Sequence, residues 1–481
     1  MRTLKIHGHE VVYWLGYDGG EVDTPAGAIF HSHSDASRAL PARGVDASEF
    51  SPPGEDLIAK LHKTESILLT MMNRAFDRLS VDERRRVYYR MLRYWTGMLR
   101  AHRPDVIIFP ALPHAADDYL LYELAHLFRV RTIFLYDTWV SDRLLHFEDF
   151  RKGSPALSKE LAKSVGKNFS VDDLSPDLRE YYQENRKKYY RPSGVYYLDE
   201  QMKKYSLWRH LQSEPKVRQS IRNGSVVWKA PRFLFYAFRR HGFLMINYAM
   251  SACARVARDT LKKEYARVER MPDFSRKFIY VPLHSQPERA TSPQGDIFAD
   301  QILMMELLAA GLPSGWEIYV KEHPIQWLRW GTDFSSARYR GYYGALAKIR
   351  NVRIVPIKTS FRELIAKSQA VATVTGMTGW EALFCGKPVL VFGYPWYRDC
   401  RGVVRVSDTE TCRAALTSVA NGALRVSEQD VINYLKALDD ATIHGYVEKL
   451  VSRISPLSKQ ESMNNITRLL LAELDHDLAK Q

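Results

Sequence analysis

Cysteine is scarce in this chain. Four residues, Cys253, Cys385, Cys400 and Cys412, form no CxxC pair, which excludes a zinc-knuckle framework and argues against a disulfide scaffold; ordinary burial is the expected fate of each. Long apolar runs are also missing. The longest uncharged stretch, 241–254, falls well short of the ~20 apolar residues that span a bilayer, so no membrane-crossing helix is expected. The opening MRTLKIHGHEVVYWLGYDGG lacks both an extended apolar core and a small-residue cleavage site, so no secretory leader is expected and a cytoplasmic location follows. No repeat at solenoid period, no low-complexity segment and no DxD-type carboxylate pair beside the candidate nucleotide residues is present.

Acidic charge is in deficit, with 69 Lys and Arg against 55 Asp and Glu. A formal charge of +14 implies an acidic partner. Between Lys203 and Arg240 ten basic residues meet a single acid, Glu214, interleaved with Trp208, Trp228, Phe233, Phe235, Tyr236 and Phe238. That segment reads either as an amphipathic stretch at an anionic membrane surface, peripheral at the inner face, or as a helical subdomain with a solvated basic face. Nucleic acid is not expected, since no helix-turn-helix, zinc-finger or RNP-type signature accompanies the charge. With 46% hydrophobic and 26% charged residues over 481 positions, the chain has the composition of a globular enzyme with two or three domains.

The two ends share a rhythm that the middle lacks. Strand-like runs alternate with helical patterns over 1–150 ("LKIHGHEVVYWLG", "DVIIFPAL", "RTIFLY") and again over 276–425 ("KFIYVPL", "WEIYVKEHP", "VRIVPI", "AVATVTG", "KPVLVFG"). Such alternation predicts parallel sheets, hence two doubly wound, Rossmann-type domains facing a cleft. The stretch 151–275 is polar, Tyr-rich and helical, a basic, aromatic insertion or linker. Helices from 426 to 481 are expected to pack back across the domains.

Polar groups gather where the C-terminal strands end, the rim on which doubly wound sheets bind ligands. "YVPLHSQPE" brings His284, Ser285, Gln286 and Glu288; "YVKEHP" brings Lys321, Glu322 and His323. In "VATVTGMTGWEA" a turn of small residues opens a helix, so Thr375, Gly376, Thr378 and Gly379 form a candidate phosphate cradle of bare N–H groups at the positive end of a helix dipole. Glu381 follows one turn in, placed for ribose hydroxyls. Each signal alone has an ordinary reading: a structural His-Pro loop, a Gly-rich turn, a solvated rim charge at Lys321. Across the cleft, His114 and Asp118 in "PHAADDYL" share one face if the helix has begun there, an acid/base spacing. Asp18 in "LGYDGG" and the trio Asp137, Asp142 and Arg143 in "YDTWVSDR" are further candidates. Helix capping and turn formation are the ordinary alternatives for these carboxylates, and a plain capping or core role for His114.

The run from "QPE" through "KEHP" to "TGMTGWEALFCGKPVLVFG", roughly residues 277–400, resembles the C-terminal half of bacterial capsule polysaccharide synthesis proteins. That resemblance implies a GT-B glycosyltransferase using a CMP-activated 3-deoxy-sugar acid such as Kdo. It implies His323 at the nucleotide phosphate, Thr375 to Gly379 and Glu381 holding phosphate and ribose, and Gln286 with Pro287 lining the same pocket. The expected partners are a nucleotide-sugar donor and a glycan or glycolipid acceptor, with no cofactor and no metal, since a donor with one phosphate needs less help from Mg²⁺. The N-terminal half departs from the family, so acceptor and sugar are not carried over. Two alternatives stand beside this reading. One is a CDP-polyol phosphotransferase of teichoic-acid type, disfavoured because "VTGMTGWEA" replaces its "DYSS"-like run; the other is a non-catalytic basic scaffold of a capsule assembly complex.

Overall fold

The computed structural model describes residues 2–17, 27–188, 260–329, 335–448 and 450–478; Asp18 and the basic stretch 203–240 lie outside them. In the C-terminal unit six parallel strands form one sheet: β6 (Phe278–Pro282), β7 (Glu317–Lys321), β8 (Val352–Ile354), β9 (Ala370–Thr373), β10 (Val389–Val391) and β11 (Val403–Arg405). Their spatial order, β8-β7-β6-β9-β10-β11, is the doubly wound order in which the chain reverses direction between its first and fourth strands. These strands read as apolar runs because both of their faces are covered. Ile279, Val281, Ile318, Val320, Ala372 and Leu390 pack against Met304, Met305, Leu308 and Tyr343 on one side. On the other, Phe278, Tyr280, Tyr319, Val371 and Val391 meet Leu364, Trp380, Leu435 and Leu438.

The N-terminal unit is built differently. Here β1 (Tyr13–Gly16) and β2 (Ile29–Ser32) pair in parallel, apart from a mixed sheet of β3 (Val106–Phe109), β4 (Arg131–Asp137), β5 (Arg143–Phe147) and β12 (Ile443–His444). The parallel pair β3-β4 continues into antiparallel β5, because the short reversal between Asp137 and Arg143 is too brief for a parallel crossover. The doubly wound expectation thus describes the C-terminal unit, while this sheet is mixed. "YDTWVSDR" forms a hairpin in which two of the three candidates are engaged by the scaffold: Asp137 accepts from the N–H of Glu448 at 2.8 Å, and Arg143 is buried against Asp177 and Asp439, both at 2.8 Å. Residues Arg2–Ile6, expected within a strand, form a short helix.

Helix Val81–His102 starts at a Ser80/Glu83 capping box, the reciprocal bond that satisfies two orphan donors. It presents Tyr88, Leu92, Trp95 and Leu99 to Phe109 and Phe134 of the mixed sheet. Helix Glu428–Ala441 joins the core under the C-terminal sheet. The chain then crosses back, pairing β12 with β5 and docking helix Lys459–Leu478, where Ile466 meets Leu135 and Leu144. The two units touch through Lys63 and Asp296 at 2.7 Å and through the Thr70 and Ser292 hydroxyls at 2.6 Å. No helix among the described residues is long and apolar enough to cross a membrane.

Candidate functional site at the sheet reversal

His284 leaves β6 at the point where the sheet reverses. Its Nε2 accepts the Thr375 N–H at 3.3 Å and lies 3.0 Å from the Thr373 hydroxyl, whose oxygen accepts the Gly376 N–H at 3.1 Å. An accepting Nε2 places the ring proton on Nδ1. Burial, followed by the charges of His323 and Arg338, pushes this imidazole down to about 3, so it is neutral. His323 is neutral as well, lowered to about 4 chiefly by burial. Its Nδ1 accepts from the Ile325 N–H at 3.2 Å, capping the short helix Pro324–Arg329 and leaving the proton on Nε2.

Behind these rings lies a polar layer centred on Arg338, which sequence reasoning missed. Arg338 and Glu322 are 0% and 1% exposed and pair at 2.8 Å. Arg338 also donates to the His284 carbonyl at 2.8 Å and to the Gln286 side-chain oxygen. The Tyr343 hydroxyl donates to Glu322 at 2.5 Å. Gln286 accepts from Gln301 at 2.8 Å and donates to the Ala299 carbonyl at 2.7 Å. Both ends of its amide are thus committed to the scaffold, and its part in a pocket is to hold the loop. Lys321 is likewise engaged: its ammonium donates to the Thr359 carbonyl at 2.6 Å, with burial lowering it to about 8.

The small-residue turn opens helix Met377–Phe384 with Gly376 as N-cap and no side-chain cap. A Cβ at Gly376 would stand 2.9 Å from Thr373 Oγ1 and 3.1 Å from His284, so glycine lets the imidazole lie against the backbone. Gly379 has another purpose, since a Cβ there would come within 2.3 Å of the Tyr397 hydroxyl, which donates to the Gly376 carbonyl. Thr375 spends its hydroxyl on the Ala290 carbonyl at 2.6 Å. Thr378 is half-buried in the first turn, and Glu381 is half-buried on the same helix, its charge adding to the burial that raises Tyr181 and Tyr280.

From the facing unit, His114 Nε2 stands 4.0 Å from Glu288, which brings two of the expected residues together across the cleft. The shared-face argument for His114 and Asp118 does not hold, because the helix begins at Ala116, two residues beyond His114. Asp118 instead draws on the backbone N–H groups of Ala115 and His114, while burial raises its carboxyl. Its neighbour Asp117 is fully buried. Cys400 and Cys412 are buried free thiols, as expected, and Cys385 is half-buried.

Residues 231–421 match the family of capsule polysaccharide biosynthesis proteins. Among curated proteins, the capsule polysaccharide modification protein LipA of Neisseria meningitidis serogroup B is 35% identical over 81 residues, covering 17% of this chain and 10% of LipA. The matched stretch therefore spans only about a tenth of that relative. Among solved structures, Thermosulfurimonas dismutans KpsC, a beta Kdo 2,7 transferase, aligns over 75% of this chain and 87% of its own at 12% identity and a TM-score of 0.32. The UDP-GlcNAc 2-epimerase of Neisseria meningitidis, bound to UDP-GlcNAc, aligns over 76% and 81% at 12% identity and a TM-score of 0.25. The matched stretch 231–421 takes in the strand-end motifs whose sequence resembles that family.

Proposed function

We propose that the protein is a glycosyltransferase of capsule polysaccharide biosynthesis that moves an acidic sugar of the Kdo class from a CMP donor to a glycan or glycolipid acceptor. One observation carries the reading: at the reversal of a doubly wound sheet, a helix N-terminus entered through glycine lies against the neutral imidazole of His284, which the His323 ring influences in turn. Breaking a nucleotide–sugar bond builds negative charge on the leaving phosphate, and preorganised donors aimed at that charge are the largest catalytic term in such reactions. The first-turn N–H groups at Met377 and Thr378, with the helix dipole, supply donors for a phosphate. The Nε2–H of His323 has no partner among the described residues and supplies another. Glu381 takes the ribose hydroxyls. The acceptor enters from the facing unit, where His114 and Asp118 are the acid–base candidates, and the stretch 203–240 attaches the enzyme to an anionic membrane surface.

Purified protein incubated with an acceptor glycan and either CMP-Kdo or CMP-sialic acid, followed by mass spectrometry, tests this reading. The expected product is the acceptor increased by one sugar-acid residue, with release of CMP. Donor that stays intact, in the presence of protein that also fails to bind CMP, overturns it.

A further inference from the structure

The first turn of helix Ala116–Leu127 buries a carboxylate that no side chain among the described residues hydrogen-bonds. Asp117 is 0% exposed, and neither of its oxygens has a hydrogen-bond partner among the described residues. Taking an ionised carboxylate out of water without donors is costly, and buried polar groups left in that condition call for a proton or a cation. Positive charge within reach, from His33 and Arg74, acts on Asp118, as do the backbone N–H groups. On Asp117 burial and then the charge of Asp118 raise the carboxyl, opposed only by the nearby N–H groups of Asp117 and Asp118 themselves.

A third side chain completes the cluster. His33 comes from the turn that follows β2, and one ligand atom from each of His33, Asp117 and Asp118 lies within 4.8 Å of the others. Around a cation with bonds of about 2.1 Å, ligand atoms stand roughly 3 Å apart in cis and roughly 4.2 Å apart in trans. Small rotamer adjustments therefore bring the three atoms onto one coordination sphere. We propose that His33, Asp117 and Asp118 bind a divalent cation. One imidazole with two carboxylates suits Mn²⁺ or Zn²⁺ better than Ca²⁺, which favours an all-oxygen shell. Three protein ligands leave coordination positions open, as in sites where a metal meets water or substrate. This cation belongs to the N-terminal unit, across the cleft from the nucleotide side, and the assignment is independent of the donor proposed above. With Asp118 a ligand, His114 is the acid–base group left on that rim.

The full chain, stripped with chelator and desalted, is titrated with Mn²⁺ followed by the electron paramagnetic resonance of the free ion, and dialysed against Zn²⁺ followed by elemental analysis. The expected result is one equivalent of at least one of the two metals on the wild type, with a rise in Tm on loading. Affinity should fall by about tenfold or more in Asp117→Asn and His33→Ala, since losing a ligand costs at least as much as losing a residue that orients one. Asp117→Asn keeps the shape of the side chain, so it guards against a trivial folding failure. Absence of stoichiometric binding of either metal to the wild type overturns the proposal, and an Asp117→Asn variant more stable than the metal-free wild type would then mark a shared proton. Undiminished binding in both variants puts the ion elsewhere and overturns it equally.

Discussion

His323 has two jobs on two ring atoms, and substitution can separate them. Nδ1 accepts the Ile325 N–H at 3.2 Å, a cap of the kind that contributes about 1 kcal/mol, whereas the opposite nitrogen is the proposed donor to the leaving phosphate. His323→Ala removes both; His323→Asn retains a capping oxygen. Both variants should slow transfer by about 10²- to 10³-fold, the scale for one lost transition-state donor, while only the alanine loses thermal stability. Unchanged turnover in a folded Asn variant would remove the ring from the mechanism. The same neutrality sets a pH dependence. In the unfolded chain a histidine titrates near 6.5, but in the folded chain His284 and His323 are lowered to about 3 and about 4. Unfolding therefore takes up protons between these values, and the contribution of the neutral rings is intact above pH ~6.5 and lost as pH falls towards 4. Urea midpoints at pH 7.5 and pH 5 should show that loss, and it should shrink in a His284→Asn, His323→Asn double variant. Arg338 behind them acts through the scaffold. Arg338→Met strands Glu322, itself 1% exposed, and should cost about 3–5 kcal/mol; adding Glu322→Leu should restore part of that, as chemical denaturation would show.

Helix Met377–Phe384 and its glycines belong to the scale of elements. Gly379→Ala places a methyl group 2.3 Å from the Tyr397 hydroxyl, so tyrosine or helix must move; a loss of about 1–3 kcal/mol is expected for such overpacking. CMP affinity should fall with it, because the displaced hydroxyl also holds the Gly376 carbonyl at the helix N-cap. A companion Tyr397→Phe change, which removes the hydroxyl that clashes, should relieve the strain, and calorimetry on both proteins checks the pairing. Elements of this unit were legible in the sequence because β6, β7, β9 and β10 are buried on both faces and so read as unbroken apolar runs between helical patterns. The rim histidines were legible for the same reason, since each sits where such a run stops. Arg338 was not. In "SSARYRGYY" it reads as a solvated charge, and its partner Glu322 lies 16 positions away, a contact that only the folded chain creates. Asp117 hid in an Asp-Asp pair at a helix start, where capping is the ordinary use of the residue. Strand β12 is two residues long, too short for any periodicity to register.

Across the whole molecule, the C-terminal segment ties the two units to one another. After β12 the chain passes over the end of β4, where the Asp137 carboxylate accepts the N–H groups of Val447 at 3.3 Å and Glu448 at 2.8 Å. Glu448 in turn pairs with Arg289, on the loop that carries Glu288 to the cleft. Asp137 thus holds a segment whose next side chain grips the nucleotide-side unit. Burial is the largest influence on Asp137 and pushes its carboxyl up to about 7, with the charge of Glu448 adding and the two N–H groups and Arg289 opposing. An aspartate in the unfolded chain titrates near 3.9, so the folded chain holds more protons between that value and about 7. The contribution of this carboxyl is then full below pH ~4 and lost as pH rises through 7, the reverse of the histidine effect. Docking of the segment 443–478 should accordingly loosen between pH 6 and pH 8. Limited proteolysis across that range, with the cut sites mapped by mass spectrometry, should show faster cleavage around 445–458 at the higher pH in the wild type. Asp137→Asn keeps an acceptor for both N–H groups and has no charge to bury, so its cleavage rate should be slow and flat across the range. Asp137→Ala should be cut rapidly at both pH values, and a wild type whose cleavage does not change with pH would show that the carboxyl at the end of β4 does not control the strap.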